Sequence, residues 1–191
     1  MVHVKASHLL LVFVLAACAL IALPDVSSAA AKRMRKAQCA DTQVQPTRGN
    51  VGAVRAAVLC LHNSERASRG LPRLTEHAKL REAAARHSDH MVADRFFAHD
   101  SPGGAGMADR ILRTGYAGSR GWSLGENIAW GTGDLATAAA IQRAWMQSPG
   151  HRANLLRRDF REIGIGIAIG APVEQRGPNG ATYTADFGVR R

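Results

Sequence analysis

The sequence predicts a single domain of the α+β class, with helices layered against a few antiparallel strands. Two observations predict it. Apolar residues recur at helical spacing in several segments, and three other segments alternate in the way that half-buried strands do. The chain of 191 residues is long enough for one ordinary domain.

Four segments have the apolar periodicity of helices. Val54, Val58 and Leu61 share one face of the first, which begins at about Ala53 and ends before Gly70-Leu71-Pro72. The same reasoning predicts further helices over residues 76–94, 107–114 and 135–148.

Three segments, 122–130, 163–169 and 181–189, are predicted to be strands. In the second, isoleucines at every other position occupy one face, while Gly164 and Gly166 leave the opposite face without side chains. A helix backbone can therefore approach this strand closely.

The N-terminus predicts export from the cell. Lys5 precedes an apolar run from Leu9 to Leu23, and small residues follow up to Ala31. This order is typical of a secretory signal peptide over residues 1–31, and the run is shorter than the roughly 20 residues that span a bilayer. An uncleaved membrane anchor is the alternative. Leu15-Ala16-Ala17-Cys18 also resembles a bacterial lipobox, in which the cysteine is lipidated, so the protein is expected to be secreted or attached to the envelope.

The rest of the chain is divided into a polar extended arm, residues 32–52, and a folded domain, residues 53–191. Outside the leader the cysteines are Cys39 and Cys60. An even number in an oxidising compartment predicts a disulfide, which would join the arm to the first helix. The alternative is a pair of free thiols in a protein that stays inside the cell.

The chain carries a net charge of +10, with 25 Lys and Arg against 15 Asp and Glu. Such a balance favours contact with an anionic envelope surface, such as cell-wall polymers or lipid head groups. A solvated cationic surface is the alternative. No base-reading motif accompanies the charge, so no specific nucleic-acid partner is expected.

Four local motifs follow one another along the domain and together resemble one known family. They are Asn63-Ser64-Glu65-Arg66, Phe96-Phe97-Ala98-His99, Gly125-Glu126-Asn127-Ile128-Ala129, and a run from Trp145 through Ser148-Pro149-Gly150-His151-Arg152-Ala153-Asn154. In this order they resemble the CAP (SCP) superfamily of cysteine-rich secretory proteins, insect antigen 5 and plant pathogenesis-related proteins of group 1, in particular its bacterial secreted branch. The resemblance covers about residues 56–189.

The resemblance implies an α-β-α sandwich around a small antiparallel sheet, with a cleft lined by two histidines and two acidic residues. His99 and His151 match the histidines, and Glu126 matches one acid. The second acid of the family follows shortly after Trp145, where this chain has Met146, Gln147 and Ser148. That acid is therefore absent from its expected place, which weakens any mechanism that needs two carboxylates.

His99, Glu126 and His151 are thus the candidate ligand-binding residues, and no catalytic residue is assigned. Two imidazoles and a carboxylate in one cleft can hold a divalent, zinc-like metal ion, or they can act as an acid/base set. We expect a secreted module that binds an envelope or extracellular ligand, for which the resemblance suggests a lipid-like class. The rival is a hydrolase that uses metal-activated water or His/Glu chemistry on peptide or another polymer. A third interpretation is a structural envelope protein held by its charge.

Other polar and aromatic residues have simpler interpretations. His87 is expected to be packed in the core, and Asn127 to be a buried hydrogen-bonding residue. Trp130 and Trp145 are expected in the core. Pro149 with the glycine after it is interpreted as a turn that orients His151.

Overall fold

The computed structural model describes residues 39–117, 121–174 and 180–191. The predicted signal peptide, the lipobox cysteine Cys18 and residues 32–38 of the predicted arm lie outside the described residues. The described elements in chain order are α1 (Val51–Ala67), β1 (Thr75–Glu76), α2 (Ala78–Ala93), α3 (Met107–Arg113), β2 (Trp122–Thr132), a 3₁₀ turn (Gly133–Ala136), α4 (Ala138–Gln147), α5 (Pro149–Leu156), β3 (Glu162–Ile169) and β4 (Gly180–Arg190).

The described strands form one sheet in the order β1-β3-β4-β2. β4 lies between β3 and β2 and pairs with both in the antiparallel sense. The short strand β1 pairs with β3 in the parallel sense, through Thr75 and Glu76. The predicted α+β class is confirmed, and β1 adds a parallel edge that the sequence did not indicate because two residues are too few to show alternation.

One face of the sheet carries the main apolar core. Tyr183 and Phe187 of β4 and Ile163 of β3 are fully buried there. Val58 of α1 and Trp145 of α4 belong to the same cluster, so α1 and α4 cover this face. Because opposite faces alternate along each strand, the residues between these positions point toward α2.

On the other face α2 lies directly against β3, as the two glycines of that strand predicted. A Cβ on Gly164 would lie 2.0 Å from the backbone carbon of Leu80, and one on Gly166 would lie 2.2 Å from that of Ala84. No side chain fits at such distances, so the glycines set the separation of helix and sheet.

The predicted disulfide is confirmed. Cys39 and Cys60 are bonded with their Cα atoms 5.6 Å apart. The described part of the predicted arm is not freely extended, because the backbone N–H of Ala139 donates to the carbonyl of Thr42 (2.8 Å). Helix α1 begins at Val51, so the last two residues of that predicted arm are helical.

Two further expectations differ from the structure. Pro149 does not form a simple turn but occupies the first position of α5, where its fixed φ and missing N–H cost the helix nothing. Trp130 is 36 % exposed and not in the core, whereas Trp145 is buried and donates from Nε1 to the carbonyl of Ile128 (3.1 Å).

Candidate functional site

Glu126 lies on β2, the last strand in the order of the described sheet. The side of β2 away from β4 is covered by α5, where Asn154 Nδ2 donates to the carbonyl of Glu126 (3.1 Å) and to Oδ1 of Asn127 (3.1 Å). Asn127 Nδ2 in turn donates to the carbonyl of His151 (2.9 Å). These bonds give the carbonyl of Glu126 a donor and tie the backbone of His151 to Asn127, the residue after Glu126.

The side chain of Glu126 points to the face covered by α2 and meets His99. His99 Nδ1 lies 2.8 Å from Oε1 of Glu126. The carboxylate is 2 % exposed, whereas the side chain of His99 is 53 % exposed. The buried carboxylate of Glu126 therefore fixes the Nδ1 side of the His99 ring, and the Nε2 side of the ring faces solvent.

Arg110 of α3 completes the surroundings of this carboxylate. Its Nη2 donates to Oε2 of Glu126 at 2.6 Å, and both side chains are buried. Its Nη1 donates to the carbonyls of His99 (2.8 Å) and Ala105 (3.0 Å). One guanidinium thus fixes both the carboxylate and the loop that carries His99. Sequence reasoning missed Arg110, because a single arginine in a short helix carries no signal of its partners.

Asp186 of β4 supplies a second carboxyl group beside Glu126. The two residues are direct partners in the antiparallel register, so their side chains project from the same face of the sheet. Asp186 is 1 % exposed. The acid expected after Trp145 is absent from α4, and this different acid reaches the site through strand pairing. Sequence reasoning missed it because register is not visible from one strand alone.

The charges of the site are set by this arrangement. The hydrogen bond to Glu126 raises the pKa of His99 above its ordinary value. Burial alone would raise the pKa of Glu126, but the bond from His99 and the charge of Arg110 outweigh it and leave that pKa lowered. Burial and then the charge of Glu126 raise the pKa of Asp186 well above its ordinary value. Of the two carboxyl groups, Asp186 therefore keeps its proton to the higher pH, and Glu126 ionises first.

His151 lies in the first turn of α5, and its carbonyl accepts the hydrogen bond from Asn127 of β2. Its ring is half-buried. Burial, and then the positive charge of His99, lower the pKa of His151, so this imidazole is the neutral member of the two. The described structure therefore brings His99 and Glu126 into direct contact and puts His151 within electrostatic range of His99.

A metal ion bound by all three predicted residues does not fit this geometry. Both oxygens of Glu126 are occupied, one by His99 and the other by Arg110. Among the described residues no group of three or more His, Cys, Asp or Glu side chains is arranged to hold a metal ion. The atoms that remain for a cation are Nε2 of His99 and the ring nitrogens of His151, with Glu126 orienting His99 from behind.

A comparison with known families identifies the family of the chain. Residues 59–183 match the cysteine-rich secretory protein family, abbreviated CAP. The chain belongs to the CAP family. The matched range contains His99, Glu126 and His151, as well as Cys60 of the disulfide.

Two curated CAP relatives come from Bacillus subtilis (strain 168). The uncharacterized protein YkwD is 34 % identical over 117 residues, which are 61 % of this chain and 43 % of the relative. The uncharacterized membrane protein YlbC is 33 % identical over 110 residues, which are 58 % of this chain and 30 % of the relative. The match thus spans less than half the length of these curated relatives.

Solved structures share the fold. An extracellular protein containing an SCP domain from Bacillus anthracis superposes with a TM-score of 0.58 at 27 % identity, over 76 % of this chain and 44 % of that one. An outer surface protein of Borrelia burgdorferi also gives a TM-score of 0.58, at 18 % identity over 76 % of this chain and 96 % of that one. Among the helices that the structure describes here, none is both long and apolar enough to cross a membrane.

Proposed function

We propose that this CAP protein is exported and that the site formed by His99, Glu126, Arg110 and His151, the histidine–glutamate site, binds an extracellular or envelope ligand. One observation carries the proposal: the buried carboxylate of Glu126, which is hydrogen-bonded to both His99 and Arg110, holds the exposed imidazole of His99 in one orientation. Because the ring is already held in place, less side-chain conformational entropy is lost when a ligand binds. The extracellular and surface proteins among the solved relatives support export.

The charge balance indicates the chemistry of the ligand. Arg110 neutralises Glu126, and the raised pKa of His99 keeps its ring partly protonated near neutral pH. The solvent-facing Nε2 of His99 is then a hydrogen-bond donor with positive charge. A phosphate or carboxylate head group of a lipid-like ligand would match this donor, with the neutral ring of His151 as a second polar contact.

A divalent cation is compatible with the same site only through the two imidazoles. When bound, such an ion would supply a further positive charge for an anionic head group. In that case Glu126 would keep the tautomer and orientation of His99 through its bond to Nδ1.

The binding proposal is tested with variants that keep the fold. His99→Gln and His151→Gln change rings that are at least partly exposed, and thermal unfolding would verify that both variants fold. Lipids extracted from the purified native protein are identified by mass spectrometry, and the binding of a short-chain anionic lipid is measured by calorimetry with and without zinc. We expect binding by the native protein and a loss of about tenfold in H99Q. Equal affinity in all three proteins would refute the proposal.

Hydrolysis is the second candidate function, and Asp186 is the observation that favours it. Two carboxyl groups whose pKa values are shifted in opposite directions lie side by side, one of them bonded to an imidazole, which is an arrangement able to donate and accept protons. The same variants discriminate between the two functions. A peptide or polymer substrate that the native protein cleaves and H99Q does not would support the hydrolase. Lost ligand binding without turnover by the native protein would support the binding module.

A further inference from the structure

A second buried arginine, Arg66, lies away from the histidine–glutamate site, in the last turn of α1. Arg66 is fully buried and donates four hydrogen bonds, all to backbone carbonyls. Its Nε bonds Pro72 (2.7 Å), Nη1 bonds Leu155 and Arg157 (both 2.9 Å), and Nη2 bonds Phe160 (3.1 Å). No carboxylate among the described residues forms an ion pair with Arg66.

The backbone that wraps around Arg66 carries further arginines on its outer side. Arg157, Arg158 and Arg161 follow α5, and Arg73 follows the carbonyl of Pro72; all four are exposed. The segments are joined where the N–H of Thr75 donates to the carbonyl of Arg161 (2.8 Å). We call Arg66, Arg73, Arg157, Arg158 and Arg161 the arginine cluster.

The arginine cluster lacks counter-charges within the described protein. Six arginines elsewhere on the surface are paired with glutamates; they are Arg55, Arg69, Arg81, Arg86, Arg95 and Arg190. Other exposed arginines also form no ion pair with a described residue, namely Arg48, Arg113, Arg143, Arg152 and Arg191. The cluster differs from them because it collects several unpaired arginines on two segments that are joined to each other. No described residue forms an ion pair with any member of the cluster, although the exposed Asp159 lies in the same segment. Like charges collected without partners raise the energy of the folded state unless an anion neutralises them.

Two of the exposed guanidinium groups are held in place. Arg157 stacks over the ring of Phe160, with its central carbon 4.9 Å from the ring centroid. Nη1 of Arg161 donates to the carbonyls of Arg158 (2.6 Å), Asp159 (3.0 Å) and Phe160 (3.0 Å), and its other nitrogens make no hydrogen bond to a described residue. Fixed guanidinium groups lose less entropy when they bind phosphate, which they contact with two parallel hydrogen bonds.

We propose that the arginine cluster is a docking surface for a phosphate-bearing anionic polymer. Arginines outnumber acidic residues here, which matches a chain of phosphates. A membrane surface is the less suitable partner because interfacial binding also uses apolar side chains that insert between lipids. The exposed large apolar residues of the described chain lie outside the cluster; they are Val44, Phe97, Leu112, Trp122, Trp130, Leu135 and Val173.

Linear inorganic polyphosphate is the probe for this surface. Its binding to the full chain is measured by fluorescence anisotropy over a range of salt concentrations. The test variant is Arg73→Gln with Arg158→Gln, because neither side chain makes a hydrogen bond or ion pair within the described protein. The control is Arg48→Gln with Arg113→Gln, which removes the same charge from exposed positions outside the cluster. Arg48 precedes α1, and about 22 Å of helix lies between Val51, where α1 begins, and Arg66.

At low salt we expect the test variant to bind about thirtyfold more weakly than the native protein. The control should lose less than about threefold, and the native affinity should fall most steeply with salt. Equal losses in both variants, or no binding by the native protein, would overturn the proposal. Tighter and cluster-dependent binding to phosphatidylglycerol vesicles would overturn the choice of a polymer. None of these results depends on the histidine–glutamate site, so the two proposals fail separately.

Discussion

Two buried arginines hold this domain together in different ways. Arg110 is neutralised by a buried carboxylate, Glu126, and fixes the loop of His99. Arg66 is bound by carbonyls alone and fixes the segment after α5. At Arg110 the positive charge is neutralised inside the protein, and an exposed imidazole remains at the surface. At Arg66 the positive charge is not neutralised, and further exposed arginines surround it. One residue type can therefore build a specific polar site or a cationic docking surface for anions, depending on its partners.

Arg66→Met should have the largest effect on stability. The substitution preserves most of the side-chain volume but leaves four carbonyls without their donor, so we expect a loss of about 3–5 kcal/mol in the free energy of unfolding. Urea denaturation of the native and variant proteins measures it. A loss below about 1 kcal/mol would mean that water replaces the guanidinium easily and would remove the contrast with Arg110.

Arg110→Met should cost nearly as much, for a different reason. It leaves Glu126 buried without its cation, and breaking a buried pair typically costs about 3–5 kcal/mol. Unlike the Arg66 variant, it should be partly rescued by a second change, Glu126→Gln, which removes the unpaired charge. The double-mutant cycle is measured by urea denaturation, and strict additivity of the two losses would contradict a charge pair.

The histidine–glutamate site should change its protonation with pH, whereas the arginine cluster should not. The raised pKa of His99 means that its contribution to stability is complete below about pH 6.5 and is lost as pH rises through the folded value. The lowered pKa of Glu126 has the opposite sign: its contribution is complete above about pH 4.3 and is lost as pH falls through the folded value. The arginine cluster keeps its guanidinium charges throughout this range.

The decisive measurement is the urea midpoint as a function of pH in the native protein and in His99→Gln. The variant should lose the decline on the alkaline side, and its decline on the acidic side should become smaller because the bond from His99 helps to lower the pKa of Glu126. His99 faces Glu126 and Arg110, and the titratable groups of Asp100 and His151 lie near it. A native alkaline decline that persists in the variant would assign the proton to another group.

The sequence predicted the local features of this fold well. Gly164 and Gly166 predicted the close approach of α2 to β3, because only residues without a side chain permit it. Cys39 and Cys60 predicted the disulfide, because they are an even number of cysteines in a protein expected in an oxidising compartment. Both inferences depend on residue type and spacing, which the sequence states directly.

What the sequence could not predict was long-range pairing of polar groups. Arg66 lies in α1, yet three of its acceptors lie 89, 91 and 94 residues further along the chain. Asp186 reaches Glu126 only through the register of β2 with β4. Hydrogen-bond partners of this kind follow from tertiary packing, so no local pattern reveals them.

The smallest effect is expected from single exposed arginines, and its sign separates the two kinds of surface. Arg158→Gln removes one positive charge from a cluster without carboxylate partners, so it should stabilise the fold by up to about 0.5 kcal/mol at low salt. Arg86→Gln instead breaks the pair of Arg86 with Glu82 (2.6 Å) and should destabilise the fold by a similar amount. Thermal unfolding at low and high salt compares them, and screening should shrink both differences. If Arg158→Gln destabilises the fold as Arg86→Gln does, the positive charges of the arginine cluster are compensated within the protein and need no external anion.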